Sequence, residues 1–164
     1  MRIRDERPED VSAIHEITRA AFEPMPFSAG DEQDLINTLR DDGALAVSLV
    51  AERDTEVVGH IAFSRVRIDG CSGDWFDLGP VSVKPGLQSL GIGGALIREG
   101  LQRIEGMGAA GCVLLGYPSY YGRFGFAHHP DLTYLGEANP NFMHLTMRGE
   151  TPKGDVSYHP AFHA

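Results

Sequence analysis

A chain of 164 residues with 42% hydrophobic content can bury one sizeable core, so we predict a single globular domain over residues 1–164. The formal net charge of -9, without a basic cluster, argues against nucleic acid or an anionic membrane as the main partner. Two distant cysteines, a charged N-terminus and no apolar run of the roughly 18–20 residues that a bilayer span requires lead us to expect a cytoplasmic protein without disulfides or zinc.

Helical and strand patterns alternate along the chain. After a short strand predicted at 2–6, apolar residues recur at helical spacing in three segments, which predicts helices over 8–22, 31–43 and 91–108. Runs rich in β-branched and aromatic residues predict strands over 44–52, 56–68, 75–84 and 112–117, with the first two joined as a hairpin. A short helix or turn is expected at 118–125, and short β pieces broken by proline and glycine follow. These elements predict an α/β or α+β domain with a mixed sheet.

A glycine-rich segment, PGLQSLGIGGAL at 85–96, lies between a predicted strand and a predicted helix. A helix N-terminus has unpaired N–H groups and about half a positive charge, and glycines let an anion approach it. No glycine here precedes the Lys-Ser/Thr pair of a P-loop, and Leu96 occupies the third glycine position of a Rossmann fingerprint. The remaining pattern is Q-x-x-G-x-G from Gln88 to Gly93, which favours an anion site over glycines that only permit close helix packing.

The Q-x-x-G-x-G loop and the segment YYGRFGF at 120–126 together resemble the GNAT superfamily of N-acetyltransferases, in particular a bacterial subgroup with a YYxRFGF element. The resemblance implies a mixed, mostly antiparallel central sheet flanked by helices. It also implies that the sheet is splayed between the strand before the glycine loop and the strand after its helix. The implied co-substrate is acetyl-CoA, with its pyrophosphate bound by Gln88, Ser89, Leu90, Gly91, Ile92, Gly93 and Gly94.

Further cofactor contacts are implied on both sides of this loop. The backbone of Val81, Ser82 and Val83 is expected to pair with the pantetheine arm like an added strand. The asparagine that many family members carry after the following strand is missing from LLGYPS, so Ser119 or the backbone is expected to replace its contact. The Y-x-x-x-G-F pattern selects Tyr121 as a cofactor contact and as the general acid for the CoA thiolate. Its neighbour in sequence, Tyr120, is expected to be a core residue.

Asp77 is the first candidate for the general base. It lies eleven residues before Gln88, at a position where some family members carry a general-base glutamate. A solvated carboxylate near a hairpin explains the residue equally well. His60 ranks below it, since a core or surface histidine is the simpler explanation. The adjacent His128 and His129 predict no metal site, because neighbouring side chains of an extended segment point to opposite faces.

These features predict an enzyme that transfers an acetyl group from acetyl-CoA to a primary amine by direct attack in a ternary complex. An acyl-enzyme is not expected, because Cys71 is predicted in a turn and Cys112 at the start of a buried strand, both outside the motifs. The acceptor amine is expected on a small molecule or a protein, recognised by variable loops. The alternative is a catalytically inactive CoA-binding regulatory or interaction module, which would have no need of Tyr121.

Overall fold

The structure is a computed structural model that describes residues 1–163. The chain forms two compact units. The first unit comprises Met1–Phe63 and Gly79–Arg103, and the second comprises Ser64–Leu78 and the described chain from Ile104 onward. Strands β3 (Glu56–Ile68) and β4 (Cys71–Val83) each contribute residues to both units. A single domain over the whole chain stays a prediction.

The first unit contains three helices beside an antiparallel ladder. Its other elements are β1 (Arg2–Asp5), α1 (Val11–Phe22), α2 (Glu32–Asp41), β2 (Val47–Arg53) and α3 (Ile92–Gly106), whose residues from Ile104 onward belong to the second unit, with a 3-10 turn at Pro8–Asp10 before α1. Strand β2 pairs with β1 and with β3, and both pairings are antiparallel. The apolar face predicted for α1 packs into the core. Its residue Ile14 is buried with Ile36 of α2 and Val50 of β2. The three longer predicted helices are confirmed.

Two tight turns connect the long strands. Asp54 and Thr55 both have positive φ angles, 52° and 64°, and join β2 to β3, which confirms the predicted hairpin. Asp69 and Gly70, with φ angles of 50° and 76°, join β3 to β4 in the same way. Because this second turn needs only two residues, β4 already begins at Cys71. The prediction of Cys71 in a turn was therefore wrong.

The second unit contains a mixed sheet. Its further elements are β5 (Gly111–Leu115), α4 (Pro118–Tyr121), β6 (Ala127–His128), β7 (Leu132–Tyr134), β8 (Phe142–Thr146) and β9 (Gly154–Ser157), with 3-10 turns at Gly122–Phe124 and Pro160–His163. The strand order is β4-β5-β8-β6; β4–β5 is parallel, whereas β5–β8 and β6–β8 are antiparallel. Strand β9 pairs in parallel with β7 and antiparallel with β3.

The pairing of β4 with β5 is short. It covers Trp75 to Asp77 on β4 and ends at the pair Asp77–Val113, although β4 continues to Val83. The end of this ladder matches the expected splay. With the helices beside it, this mostly antiparallel sheet confirms the predicted mixed α/β fold. In the described part of the chain, none of the helices combines the length and the apolar character that a membrane crossing demands.

Helix α3 packs through a continuous apolar face. Its buried residues are Ile92, Leu96, Ile97 and Ile104, which recur at the spacing of one helix face. Gly100 lies on the same face, and a Cβ atom there would overlap the ring of the fully buried Phe63. The helix therefore approaches the sheet as closely as a bare backbone allows.

This close contact predicts that Gly100→Ala destabilises the protein. Overpacking a rigid core costs about 1–3 kcal/mol, which outweighs the roughly 0.5–1 kcal/mol that alanine gains over glycine in a helix. Gly106→Ala in the same helix is the matched control, because a Cβ atom there meets nothing within 4 Å. Denaturant unfolding should show a lower free energy of unfolding for Gly100→Ala only. Equal stability of the two variants would contradict the packing argument.

Candidate active site

The glycine loop forms a sharp entry into α3. Gly91 has a φ angle of 89°, a left-handed conformation that glycine adopts without strain, and α3 begins at the next residue, Ile92. Ser89 is also left-handed, with a φ angle of 65°. The Gly91 carbonyl accepts the N–H of Ala95 at 3.0 Å, so the helix ladder starts inside the predicted motif. The backbone geometry therefore requires a glycine at position 91.

The side chain of Gln88 closes this loop onto the strand before it. Its Nε2 donates a hydrogen bond to the Val83 carbonyl at 3.1 Å. Residues 88–91 are exposed, including Leu90, which is 63% exposed. The first-turn N–H groups of α3, among them those of Gly93 and Gly94, have no acceptor within the helix. An exposed loop thus leads into unpaired amides, which is the geometry that suits an anion.

The Ser82 side chain near the end of β4 is engaged within the protein. The buried hydroxyl groups of Ser82 and Thr18 lie 3.2 Å apart, so the Ser82 side chain is used within the protein. Val81 and Val83 on either side are half-buried. The Lys84 N–H donates to the Val58 carbonyl at 2.8 Å and continues the contact with β3. Any ligand contact of Ser82 must therefore come from its backbone.

Tyr121 lies at the end of α4 in a tight aromatic setting. Its ring centroid is 5.0 Å from Tyr120 and 6.2 Å from Phe126. A Cβ atom on Gly116 would overlap the Tyr121 ring, so the glycine after β5 makes room for it. Burial, with smaller contributions from Tyr120 and Asp77, raises the pKa of Tyr121 to about 12. The phenol therefore holds its proton at neutral pH.

The structure shows why glycine and phenylalanine follow the tyrosine in the Y-x-x-x-G-F element, and where the residues around it lie. Gly125 has a φ angle of 95° and ends the 3-10 turn, while Phe126 is buried. Ser119 is exposed on α4. Tyr120 is half-buried, and the guanidinium of Arg123 stacks 4.7 Å from its ring centroid. The prediction of Tyr120 as a core residue was therefore wrong, since it packs at the surface of the aromatic group.

Asp77 is buried, with 3% of its surface exposed. The interpretation of Asp77 as a solvated carboxylate was therefore wrong. Desolvation raises the pKa of this carboxyl to about 8, against a smaller lowering by the hydroxyl of Tyr158. The charge of Asp77 in turn raises the pKa of Tyr121, so the structure brings the two predicted catalytic residues into one electrostatic neighbourhood. A carboxyl that titrates near neutral pH suits a general base.

His60 belongs to the core and not to a reactive surface. It is fully buried, and burial lowers its pKa to about 4. Its Nε2 lies 2.8 Å from the Ser48 hydroxyl, which also bonds the carboxylate of Glu6, itself paired with Arg40 at 2.7 Å. The Nδ1 atom has no hydrogen-bond partner within residues 1–163. His60 is thus a core residue whose Nε2 has a hydrogen-bond partner and whose Nδ1 has none among the described residues.

The two cysteines and the adjacent histidines His128 and His129 lie in settings unlike that of an activated nucleophile or a metal site. Cys71 is exposed at the start of β4, and burial raises the pKa of the fully buried Cys112 thiol well above its usual value. His128 bonds the Phe142 carbonyl at 3.2 Å, and the His129 ring packs on His144. No group of three or more potential ligand side chains in the described chain is arranged to hold a metal ion.

Sequence reasoning missed three residues that shape these sites. Tyr158 faces Asp77, Gly116 accommodates Tyr121, and Thr18 bonds Ser82. Gly116 carried a local signal, because it stands directly after a buried strand and shortly before the tyrosine motif. Tyr158 and Thr18 carried none, because their partners lie far away along the chain.

Comparison with known proteins identifies the family of this chain. The profile of the Acetyltransferase (GNAT) family matches residues 11–126. The uncharacterized N-acetyltransferase YhbS of Escherichia coli strain K12 is 38% identical over 133 residues, which are 79% of this chain and 77% of that protein. The uncharacterized N-acetyltransferase YjhQ of the same strain is 36% identical over 121 residues, 71% of this chain and 64% of that protein.

Solved structures show the same fold. A GNAT family acetyltransferase from Brucella melitensis, in complex with acetyl-CoA, is 48% identical with a TM-score of 0.88, and the match covers 98% of this chain and 97% of that one. YhbS from Escherichia coli, in complex with CoA, is 32% identical with a TM-score of 0.90 and coverage of 99% and 92%. The family profile matches more than half of the chain, both curated relatives are N-acetyltransferases by name, and the chain belongs to the Acetyltransferase (GNAT) family.

Proposed function

We propose that this protein transfers the acetyl group of acetyl-CoA to a primary amine of a small molecule or protein. The observation that carries the proposal is the likeness, at 48% identity over nearly the full chain, to the Brucella melitensis acetyltransferase in complex with acetyl-CoA. Together with the N-acetyltransferase relatives, it supports an acetyl-CoA-dependent N-acetyltransferase. The residues of the glycine loop and of the tyrosine motif supply the chemistry.

The glycine loop is proposed to bind the pyrophosphate of the cofactor. Exposed backbone from Gln88 to Gly91 leads into the first turn of α3, whose amides and dipole stabilise negative charge. Before the loop, the ladder of β4 with β5 ends at Asp77, so the backbone of Val81 to Val83 is proposed to pair with the extended pantetheine arm. Ser119 is proposed as a weaker contact because its side chain is exposed on α4.

Direct attack of the amine on the thioester is the proposed route. Cys112 is fully buried with a raised pKa, and Cys71 lies outside both motifs, so neither thiol suits an acyl-enzyme. As the tetrahedral intermediate collapses, the carbon–sulfur bond breaks and Tyr121 donates its phenolic proton to the leaving thiolate. Asp77, as carboxylate, is proposed to accept the proton of the attacking amine directly or through water.

The proposed pyrophosphate site predicts a loss of cofactor binding in Gly93→Glu. The added carboxylate would face the phosphates, whereas glutamate is tolerated in the first turn of a helix, so the fold should survive. Gly93→Gln is the control of equal size without the charge. Calorimetry should show a much larger loss of acetyl-CoA affinity for Gly93→Glu than for Gly93→Gln. Parental affinity in a folded Gly93→Glu protein would mean that the loop is not the site.

The proposed base predicts a pH-dependent effect of Asp77→Asn. Because the pKa of Asp77 is about 8, the parent has little carboxylate at low pH and gains it as the pH rises. The ratio of parental to variant kcat/KM should therefore increase through about pH 8 and reach about 10²–10⁴ above it. Ionisation of the acceptor amine affects the parent and the variant equally, so the ratio of their kcat/KM values does not depend on it. A ratio that stays constant from pH 6 to pH 10 would remove Asp77 as the base.

The proposed acid predicts that Tyr121→Phe lowers kcat by about 10²–10⁴-fold when chemistry limits the rate. The substitution keeps the ring against Gly116 and Phe126, so the melting temperature and the affinity for acetyl-CoA should change little. Tyr120→Phe is the matched control, since it removes a hydroxyl from the neighbouring ring and should have a mild effect. Steady-state turnover of both variants decides the question. Parental turnover in Tyr121→Phe would exclude the acid role.

A further inference from the structure

We infer that Thr18 of α1 is a positioning residue for the cofactor. Its hydroxyl group bonds that of Ser82 and thereby holds the end of β4 in the place where the backbone of Val81 and Val83 meets the pantetheine arm. The inference rests on the proposed function, in which this backbone pairs with the cofactor. It assigns a role to a helix that contains neither the glycine loop nor the tyrosine motif.

The contact joins two buried hydroxyl groups within the first unit. Thr18 is fully buried, Ser82 is 3% exposed, and their side-chain oxygens are 3.2 Å apart. On α1, Thr18 lies one turn after Ile14 and one turn before Ala21, which are both buried apolar residues. A valine has the same branched shape and would fill this place without burying a polar atom. The hydroxyl of Thr18 is therefore explained by its partner on β4 and not by the packing of the helix.

Ser82 is held from two sides. Its side chain reaches α1, while its carbonyl oxygen faces β3, where a Cβ atom on Gly59 would lie 3.3 Å away. Two residues later, the Lys84 N–H also donates to a carbonyl of β3. Because successive residues of a strand direct their backbone groups to opposite edges, Val81 and Val83 direct theirs away from β3.

The edge of β4 that faces away from β3 has no partner among the described strands at these residues, since the ladder with β5 ends at Asp77. The Val83 carbonyl accepts the Gln88 side chain, as expected for a group that does not face β3. The groups left for the pantetheine arm are the N–H and C=O of Val81 and the N–H of Val83. A ligand strand binds more tightly to an edge that is already fixed. The bond from α1 to Ser82, between the two valines, supplies this support.

Three variants separate the position of β4 from the stability of the fold. Thr18→Val keeps the shape of the side chain but removes the partner of the buried Ser82 hydroxyl, so it should lower the melting temperature. Thr18→Val/Ser82→Ala removes both hydroxyls and should recover part of that loss, because neither group is then left unpaired. Ile14→Val weakens the packing of α1 against α2 and β2 and is the control for a general loss of stability.

Calorimetry should show that acetyl-CoA binds about 3–10-fold more weakly to Thr18→Val and to the double variant, which corresponds to one lost hydrogen bond, and with parental affinity to Ile14→Val. The KM for acetyl-CoA should rise by the same factor while kcat stays near the parental value, because the bond acts on cofactor binding and not on the reacting groups. Parental affinity in Thr18→Val overturns the inference. Recovery of affinity together with stability in the double variant also overturns it, because the hydroxyls would then serve folding alone.

Binding and turnover distinguish this inference from the proposed function. Calorimetry needs no acceptor, so the effect of Thr18→Val on affinity is measured whether or not an amine is acetylated. Weaker binding to Thr18→Val without acetylation of any amine by the parent would support the positioning role and contradict the proposed transfer. Acetyl transfer by the parent with an unchanged KM for acetyl-CoA in Thr18→Val would support the transfer and overturn the positioning role.

Discussion

Desolvation of one carboxyl group is the constraint on which the proposed chemistry depends. Asp77 lies within an apolar sheet surface, where a charge is expensive, so the group binds a proton on folding and its pKa rises to about 8. The stability gained from that proton is present below pH 4 and is lost as the pH rises towards 8. The same desolvation penalty makes the ionised carboxylate a strong proton acceptor. Burial of Asp77 therefore raises the basicity of its carboxylate and lowers the stability of the folded protein when this group is ionised.

The glycine loop follows a different constraint, because its recognition groups are backbone amides. Amides cannot be brought to an anion by rotating a side chain, so the chain itself must turn, and Gly91 takes the left-handed conformation that this turn requires. The Gln88 amide bonded to the Val83 carbonyl stiffens the same turn. Both features restrict the backbone of the proposed pyrophosphate site, and a restricted backbone loses less entropy on binding.

Sequence patterns predicted the features that are local along the chain. The spacing of Gln88 and Gly91, and the succession of Tyr121 and Phe126, are fixed by neighbours a few residues away, so the sequence alone predicts both motifs. The burial of Asp77 was missed because it depends on strands and side chains that fold against it from distant segments, among them Tyr158. The misplaced start of β4 has a local cause, since a two-residue turn was predicted as a longer one.

Acetyl transfer itself is tested most directly by an acceptor screen that measures two products at once. The purified protein is incubated with acetyl-CoA and a panel of polyamines, aminoglycosides, amino acids and peptides, and CoA thiol release is compared with the mass of the acceptor. The account predicts one CoA released for each acetyl group that appears on an amine, and no acetyl group left on either cysteine. Tight acetyl-CoA binding without release above the spontaneous rate across the panel would contradict it and favour a CoA-binding module without turnover.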